Sequence, residues 1–192
     1  MEQPALLTSS ADSIKVNILN KKKEIEELFD RIKTDGSFAF DIDSANIVFA
    51  FDFNETFSLP ISTLEASPFN SRLKAIFEND KIKKTGHDLK ELSKALLKKG
   101  IHVSGLDFDT KIAAYLISPN IKDYALERVY FTEFGQNMDS NFLKRPAHAN
   151  KLKKNQSEKI KSLGLLQVFE KIEVPLAPVL AEMETKGLKV DL

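Results

Sequence analysis

The most informative stretch of the chain is a pair of apolar runs near its start. Residues 37–42 and 46–53 are rich in Phe, Val and Ile, and only the short segment 43–45, which carries Asp and Ser, separates them. Two such runs joined by a short polar turn predict a β-hairpin. Every position from Ile47 to Phe51 is apolar, which is typical of a strand covered by helices on both faces. We therefore expect this hairpin to lie at the centre of the fold.

Strands and amphipathic helices alternate along the rest of the chain. Further strands are predicted over 14–19, 56–59, 81–85 and 101–108. Two helices are predicted after caps at Asn20 and at Ser67-Pro68, and three more over 89–97, 111–117 and about 123–129. A long helical pattern begins again at Ser157, with a break at Gly164 and bends at Pro175 and Pro178. Between Tyr130 and Gln156 the periodicity is lost, and a loop is predicted. This order predicts an α/β fold in which a mixed sheet, three antiparallel strands followed by crossover strands, lies between helices.

Composition and charge narrow the class of protein. The 192 residues are 42% hydrophobic and 29% charged, which fits one globular domain with a sizeable core. Because 28 basic residues balance 28 acidic ones, any binding of nucleic acid or membrane must come from a local patch. The absence of cysteine rules out a disulfide scaffold. Neither a signal peptide nor an apolar run of about 20 residues is present, so we expect an intracellular domain outside the membrane.

Asp41 and Asp43 stand at the end of the first predicted strand of the hairpin. Carboxylates at positions i and i+2 point to the same side of a strand, so the two could jointly hold a divalent cation with their oxygens. The alternative is that Asp43 begins the turn and Asp41 caps a neighbouring helix. The pattern of residues alone leaves both interpretations open.

Five segments of the chain occur in a characteristic order. They are FAFDID from Phe38, SANIVFAF from Ser44, KKTGHDLKEL from Lys83, GLDFDTKIAAYLI from Gly105 and VFEKIEVPLAPVLAEMETKGLKVD from Val168. In this order they resemble the 3′–5′ exonuclease-type domain of bacterial DNA polymerase I, the family-A repair polymerase, over about residues 14–192. The last segment resembles the junction where that domain enters the polymerase domain, which distinguishes the chain from free-standing relatives such as ribonuclease D. The resemblance implies an α/β fold of the ribonuclease-H-like type, a mixed sheet flanked by helices as in DnaQ-like 3′–5′ exonucleases.

The resemblance also implies how the chain is organised. Residues 1–13 would be a linker or flexible N-terminus, 14–174 the exonuclease-like domain, and 175–192 the junction into a polymerase domain that is absent from this chain. The chain is then expected to be a monomeric part of a longer bacterial polymerase. That polymerase would be cytoplasmic and associated with the nucleoid, with DNA and not a membrane as its partner.

Active members of the resembled family place four acidic residues around two magnesium ions. Their first motif, Asp-x-Glu, stands here as Asp41 and Asp43, and the metal-binding Asp of their second motif stands as Leu92. Asp88, one helical turn before Leu92, is a candidate substitute. The third motif, Tyr-x-x-x-Asp, is absent from 141–150, which carries no acidic residue and contains a proline that argues against an unbroken helix. Two carboxylates balance only half of the charge of two magnesium ions.

The resemblance therefore implies a degenerate 3′–5′ exonuclease domain that has lost proofreading and gives structural support to the polymerase domain in DNA replication and repair. Asp41 and Asp43 would be vestigial, no residue would be catalytic, and no cofactor is expected. One alternative is a weakly active exonuclease in which Asp41, Asp43 and a third ligand such as Asp88 hold Mg²⁺ or Mn²⁺. A second alternative is a module that binds DNA without cleaving it.

Basic residues accumulate in the region where the periodicity is lost. The candidates for contact with a DNA phosphate backbone are Lys144, Arg145, Lys151, Lys153 and Lys154. The alternative for this group is a solvated loop and helix face. Asp109 is explained as the cap of the following helix, and the three histidines, at 87, 102 and 148, are too scattered to indicate a zinc site, so that His87 is expected at the surface or at a helix start.

Overall fold

The computed structural model describes residues 13–64 and 69–187. The strands within these ranges are β1 (Lys15–Ile18), β2 (Ser37–Ile42), β3 (Asn46–Ala50), β4 (Glu55–Pro60), β5 (Lys83–Gly86) and β6 (Leu106–Asp109). The helices are α1 (Lys22–Asp35), α2 (Ile61–Leu64), α3 (Phe69–Phe77), α4 (Leu89–Leu97), α5 (Thr110–Ile117), α6 (Leu126–Phe134), α7 (Arg145–Ser162), α8 (Leu166–Val168) and α9 (Val174–Lys186). A 3₁₀ turn at Phe142–Lys144 leads into α7, and a π-helical segment, Phe169–Glu173, joins α8 to α9. No helix among the described residues is long and apolar enough to cross a membrane.

The strands form one sheet in the order β1-β4-β3-β2-β5-β6. β2, β3 and β4 are an antiparallel meander, whereas β1 pairs in parallel with β4, β5 with β2, and β6 with β5. Each parallel pair is separated in sequence by at least one helix, as parallel pairing requires a crossover connection. The predicted α/β fold, a mixed sheet flanked by helices, is confirmed.

The β2–β3 hairpin lies in the middle of the sheet and organises the main core. One of its faces carries rings that pack against Phe77 of α3, with centroids 4.9 to 6.3 Å from that of Phe77; these are Phe38, Phe40 and Phe49. The other face carries the small residues Ala39 and Ala50, which pack against Ala147 of α7. The prediction that helices cover this hairpin on both faces is confirmed.

The helix boundaries differ from the predictions by a few residues. α1 has Lys21 and not Asn20 at its N-terminal cap position, so the predicted cap is wrong by one residue. It ends as predicted at Gly36, whose φ of +65° is a backbone conformation that glycine adopts without strain. α6 begins at Leu126 and continues to Phe134, beyond the predicted end at 129.

Several strands are shorter than predicted, whereas β4 extends one residue beyond its predicted range at each end. The second strand of the hairpin ends at Ala50 instead of residue 53, and the strand predicted over 101–108 is regular only from Leu106. The predicted cap at Ser67-Pro68 lies outside the described residues. The same holds for 1–12 and for 188–192, where the linker and the end of the predicted junction fall.

The loop predicted between Tyr130 and Gln156 is wrong. This region contains the end of α6 and most of α7, which runs from Arg145 to Ser162. Pro146 does not break α7 because it lies in the first turn, where a helix makes no use of the backbone N–H. The buried side of α7 contains alanine, histidine and glutamine beside its few large apolar residues, so its hydrophobic periodicity is weak. The argument that the proline excludes an unbroken helix is therefore also wrong.

Asp109, at the end of β6, caps two helices at once, and its side chain is buried. It accepts hydrogen bonds from the backbone N–H groups of Lys111 at 2.8 Å and Ile112 at 3.3 Å, at the start of α5. It also accepts from those of Asp88 at 3.1 Å and Leu89 at 2.6 Å, at the start of α4. Burial raises the pKa of Asp109 to about 6, and the four N–H groups oppose this rise. The predicted cap of α5 is confirmed, and the same carboxylate holds the N-terminus of α4.

Replacing Asp109 with alanine is expected to lower the free energy of unfolding by about 3 kcal/mol, because four N–H groups lose their acceptor. Asp109→Ser is expected to recover about half of this loss, since a serine hydroxyl caps one helix but does not serve two. Urea unfolding followed by circular dichroism measures both changes. The control is Asp30→Ala, which removes an exposed carboxylate and is expected to cost less than about 1 kcal/mol. Wild-type stability of Asp109→Ala would contradict the double cap.

Candidate functional site

A cleft of about 580 Å³ opens beside the end of β2. It is bordered by β2, α4, α5, the segment that leads into α6, and the start of α7. Its charged lining residues are Asp41, Asp88, Glu91, Lys111, Lys122, Asp123, Glu127 and Arg145. Leu92 also lines it, so the structure brings together Asp41, Asp88 and Leu92, which were predicted from separate motifs.

Asp41 is a buried carboxylate that pairs with Arg145. Its side chain lies on β2 and the residue is only 7% exposed. Oδ2 of Asp41 accepts a hydrogen bond from Nε of Arg145 at 2.8 Å, and Oδ1 accepts the backbone N–H of Ile42 at 2.8 Å. Burial raises the pKa of Asp41, while the guanidinium of Arg145 acts in the opposite direction. Arg145 also donates to Oε1 of Glu127 at 2.7 Å and so links β2, α6 and α7.

Asp43 has a different role from Asp41. It follows the last residue of β2 and its side chain is exposed. Its Oδ1 accepts hydrogen bonds from the backbone N–H groups of Ala45 at 2.7 Å and Asn46 at 2.6 Å, which holds the turn of the hairpin. The alternative proposed from the sequence, that Asp43 begins the turn, agrees with this geometry, whereas Asp41 contacts Arg145 instead of capping a helix.

Asp88 and Leu92 lie at the start and in the middle of α4. Asp88 has a left-handed backbone with φ of +62°, and its Oδ2 forms an ion pair with Nζ of Lys111. Leu92 is buried in the main core and packs over Gly86 of β5, where an added Cβ would lie 2.8 Å from Cδ1 of Leu92. The side chain of Asp88 thus turns towards α5, and the position of Leu92 is apolar.

His87 directly precedes the cap of α4, in agreement with the helix-start expectation, but it is buried in the wall of the cleft and not at the surface. Its Nδ1 lies 2.8 Å from Oγ1 of Thr110, and its Nε2 lies 2.9 Å from the carbonyl oxygen of Tyr124. Burial and the nearby charge of Arg145 lower the pKa of His87 to about 4, so the ring is neutral near pH 7. A carbonyl oxygen only accepts, so Nε2 carries the proton and the Thr110 hydroxyl donates to Nδ1. His87 therefore ties β5 to the segment before α6.

Most of the basic residues predicted to contact DNA have partners inside the domain. Lys144 pairs with Asp139 at 2.6 Å, and Lys153 pairs with Asp107 at 2.6 Å. The ammonium group of Lys151 lies over the rings of Tyr130 and Phe134, at 5.7 and 5.2 Å from their centroids. The remaining residue of the group, at position 154, is exposed on α7. Contact of this group with DNA stays a prediction.

The donor set of the cleft does not fit a pair of divalent cations. Both oxygens of Asp41 are engaged, Asp43 holds the hairpin turn, Asp88 pairs with Lys111, and Leu92 has no donor atom. Within 13–64 and 69–187, no group of three or more His, Cys, Asp or Glu side chains is arranged to hold a metal ion. Asp41 and Glu127 are instead paired with Arg145, and Asp88 is paired with Lys111.

Solved structures share this architecture. The structure described as Brucella melitensis NrnC with bound Mg²⁺ has a TM-score of 0.70 at 14% identity, over 91% of this chain and 94% of that one. The POL domain of Pol1 from M. smegmatis, in complex with DNA primer-template and dNTP, has a TM-score of 0.79 at 18% identity, over 92% of this chain and 33% of that one. The mixed sheet with its cleft thus defines a ribonuclease-H-like domain with the fold of DnaQ-like 3′–5′ exonucleases.

Sequence similarity narrows this class further. The family described as DNA polymerase I, ribonuclease H-like domain, matches residues 44–141, and the chain belongs to this family. The chain is also 35% identical over 136 residues to DNA polymerase I of Bacillus subtilis strain 168. That alignment covers 60% of this chain and 16% of the relative, so the chain spans about a sixth of the relative's length. The exonuclease-like domain of DNA polymerase I, predicted from the motifs, is confirmed.

Replacing Arg145 with methionine is expected to lower the free energy of unfolding by about 3 kcal/mol near pH 8, because the buried carboxylate of Asp41 loses its cation. Without Arg145 the pKa of Asp41 rises further above its value in the unfolded chain. Stability is then lost as the pH rises through that pKa, so the variant is expected to be less destabilised near pH 5 than near pH 8, because a raised pKa favours the neutral form of Asp41 towards acidic pH. Urea unfolding at both pH values measures the difference.

Two further variants control this experiment. Asp41→Asn combined with Arg145→Met removes both charges, so the extra pH dependence is expected to disappear. Glu127→Gln breaks only the outer ion pair, whose carboxylate side chain is 48% exposed, and is expected to cost less than about 1 kcal/mol. If Arg145→Met were equally destabilised near pH 5 and pH 8, Asp41 would not be the group that Arg145 neutralises.

Proposed function

We propose that this chain is a degenerate, catalytically inactive 3′–5′ exonuclease domain of a DNA polymerase I. Its role is to support the polymerase domain of the same chain during DNA replication and repair. The observation that carries the proposal is the buried ion pair between Arg145 and Asp41, at 2.8 Å. It gives the carboxylate at the centre of the cleft a permanent partner from within the protein.

The electrostatics of this pair oppose metal binding. A divalent cation held by Asp41 would have to displace the guanidinium of Arg145 or lie beside it. Displacement would leave a partly buried guanidinium without its main partner, and coexistence would bring positive charges close together where little water screens them. Two-metal hydrolysis needs two such cations around the scissile phosphate. Arg145 takes over the charge balance that metal ions provide in active members of the class.

The position at which active members of the class have the acidic residue of their second motif also argues against metal binding. Leu92 packs within the apolar core, so α4 offers no ligand there. The alternative of a weakly active exonuclease, with Asp88 as the third ligand, would require Asp88 to leave Lys111 while Asp41 leaves Arg145. Both ion pairs would have to break before the first cation could bind.

The relatives support a role within a polymerase. One is DNA polymerase I of B. subtilis, of which this chain spans 16%, and another is a structure of Pol1 with DNA primer-template and dNTP, of which it covers 33%. We infer that this chain likewise belongs to a longer polymerase that binds DNA. Within that polymerase the exonuclease-like domain is a folded platform, and the polymerase domain carries out DNA synthesis.

No release of 3′-terminal nucleotides is expected when this chain is incubated with labelled single-stranded DNA in Mg²⁺ or Mn²⁺. The reason is that the cleft lacks the ligands for two-metal catalysis. Denaturing gel electrophoresis compares the wild type with an Asp41→Ala and Asp43→Ala double variant, and both are expected to match the background. An active 3′–5′ exonuclease run in parallel shows that the substrate and metals are competent.

Two results would contradict the proposed function in different ways. Metal-dependent release that the double variant abolishes would show an active exonuclease with a third ligand. DNA binding without release, weakening steeply as salt rises, would instead favour the module that binds DNA through Lys154 and its neighbours.

Mn²⁺ is expected to leave the melting temperature of the wild type unchanged, because a ligand stabilises a protein only if it binds the folded state. Arg145→Ala exposes the carboxylate of Asp41 to added cations and is expected to become stabilised by millimolar Mn²⁺. Asp41→Asn added to Arg145→Ala is expected to remove this effect. Differential scanning fluorimetry with Mn²⁺ and then EDTA measures these three proteins and the single variant Asp41→Asn. A Mn²⁺-dependent rise in the wild type that Asp41→Asn abolishes would show that Arg145 does not exclude the metal.

A further inference from the structure

α9 has large apolar side chains on the side that faces away from the domain. These residues, called here the apolar stripe, are Ile172, Leu176, Val179, Leu180 and Met183. Ile172 belongs to the π-helical segment before α9, and the others follow at helical spacing, so the five form one continuous row. Each is between 36% and 59% exposed. A solvent-facing helix side normally carries polar and charged residues.

The opposite side of α9 is already occupied. Val174, Ala177 and Ala181 are buried, and α9 packs against α4. Glu184 fixes this packing through ion pairs with Lys90 at 2.8 Å and Lys94 at 2.7 Å. The stripe therefore does not result from a helix that is turned the wrong way. A helix that is apolar on both sides is typical of one covered on both sides.

The apolar surface extends beyond α9 into a groove. A cavity of about 280 Å³ lies between α5 and α9, with Leu176 and Leu180 on one wall and Ile112 and Tyr115 on the other. Tyr115 is 49% exposed, although tyrosine is among the residues that contribute most when they are buried at the centre of an interface. Leu176 and Leu180 belong to both the stripe and this groove, so the two are continuous. The charged residues that also line the groove are Asp88, Lys90, Asp109, Lys111 and Glu173, which gives an apolar surface with charged groups beside it, as docking sites commonly have.

We propose that the apolar stripe and the adjoining groove are the surface on which the polymerase domain of the same chain docks. This inference rests on the proposed function and names the contact through which the domain supports the polymerase. In the M. smegmatis relative two thirds of the chain lie outside the matched part, enough to supply such a partner. The partner is expected to offer an apolar face with few charges at its centre.

A covalent connection to the domain favours the polymerase domain as the partner of this surface. Under the proposed function, 175–192 joins the domain to the polymerase domain, so α9 is both the connection and the contact. A partner joined through so short a segment is present at an effective concentration in the millimolar range, and a modest apolar contact is then enough to hold it. Contacts between domains of one chain are commonly of this moderate kind.

The test compares α9 in two settings, the 192-residue chain and the longer polymerase chain that contains it. Hydrogen–deuterium exchange of α9 is expected to be slower in the longer chain, because docking opposes the local opening that exchange requires. The stripe variant, Leu176→Gln with Val179→Gln and Met183→Gln, is expected to lose this protection and to lower the melting temperature of the longer chain by several degrees. In the 192-residue chain the same variant is expected to leave the melting temperature unchanged.

The matched control replaces three exposed apolar residues elsewhere, by Ile18→Gln, Phe131→Gln and Leu163→Gln. It is expected to leave the exchange of α9 unchanged in both settings. Equal exchange of α9 in the two settings would overturn the proposal, as would a loss of stability of the 192-residue chain with the stripe variant. A dimer of the 192-residue chain that the stripe variant dissociates would assign the surface to a second copy instead. Nucleotide release is measured separately, so an active exonuclease would refute the proposed function without deciding the docking surface.

Discussion

The buried ion pair between Arg145 and Asp41 is the interaction on which the cleft depends. It joins residues 104 positions apart and fastens the start of α7 to β2, and its extension to Glu127 brings in α6. Asp41 is almost fully buried, so its charge has to be balanced inside the domain by a metal ion or another side chain, or removed by a proton. In this structure the guanidinium of Arg145 balances the charge, and the ion pair holds the start of α7 against β2.

The fold could be predicted where local sequence decides it. The continuous apolar run of β3 indicated a strand covered on both faces, and Gly36 and Asp109 marked a helix end and a helix start by their own chemistry. α7 escaped prediction because its buried side is made of small and polar residues, such as Ala149 and Gln156, that lie between lysines. Its position is determined by contacts with the sheet, which the sequence does not display.

The candidate site was predictable only in part. The motifs located Asp41 and Leu92, but Arg145 was assigned to DNA phosphates because a charge in a sequence does not reveal its partner. The partner of Arg145 is Asp41 of β2, which is distant in sequence. The partner of Lys153, Asp107, is likewise distant. His87 gave no signal of burial, since the atoms that satisfy its ring belong to Thr110 and to a backbone carbonyl far along the chain.

On the proposed function, the changes in the cleft are mutually dependent, and this dependence accounts for a fold that persists without two-metal chemistry. A carboxylate in place of Leu92 would stand against Gly86 among apolar neighbours, and it would need a cation to balance it. The nearest guanidinium is already engaged by Asp41, so such a change would leave a buried charge unpaired unless Arg145 also changed. Asp41 and Gly86 belong to β2 and β5, but the sheet is held by backbone hydrogen bonds and the double cap by Asp109, neither of which needs the side chains of Asp41, Leu92 or Arg145. The sheet therefore does not depend on which cation balances Asp41. On the proposed function, loss of the two-metal site is thus a joint change of packing and charge, and no single substitution in the cleft restores both metal positions.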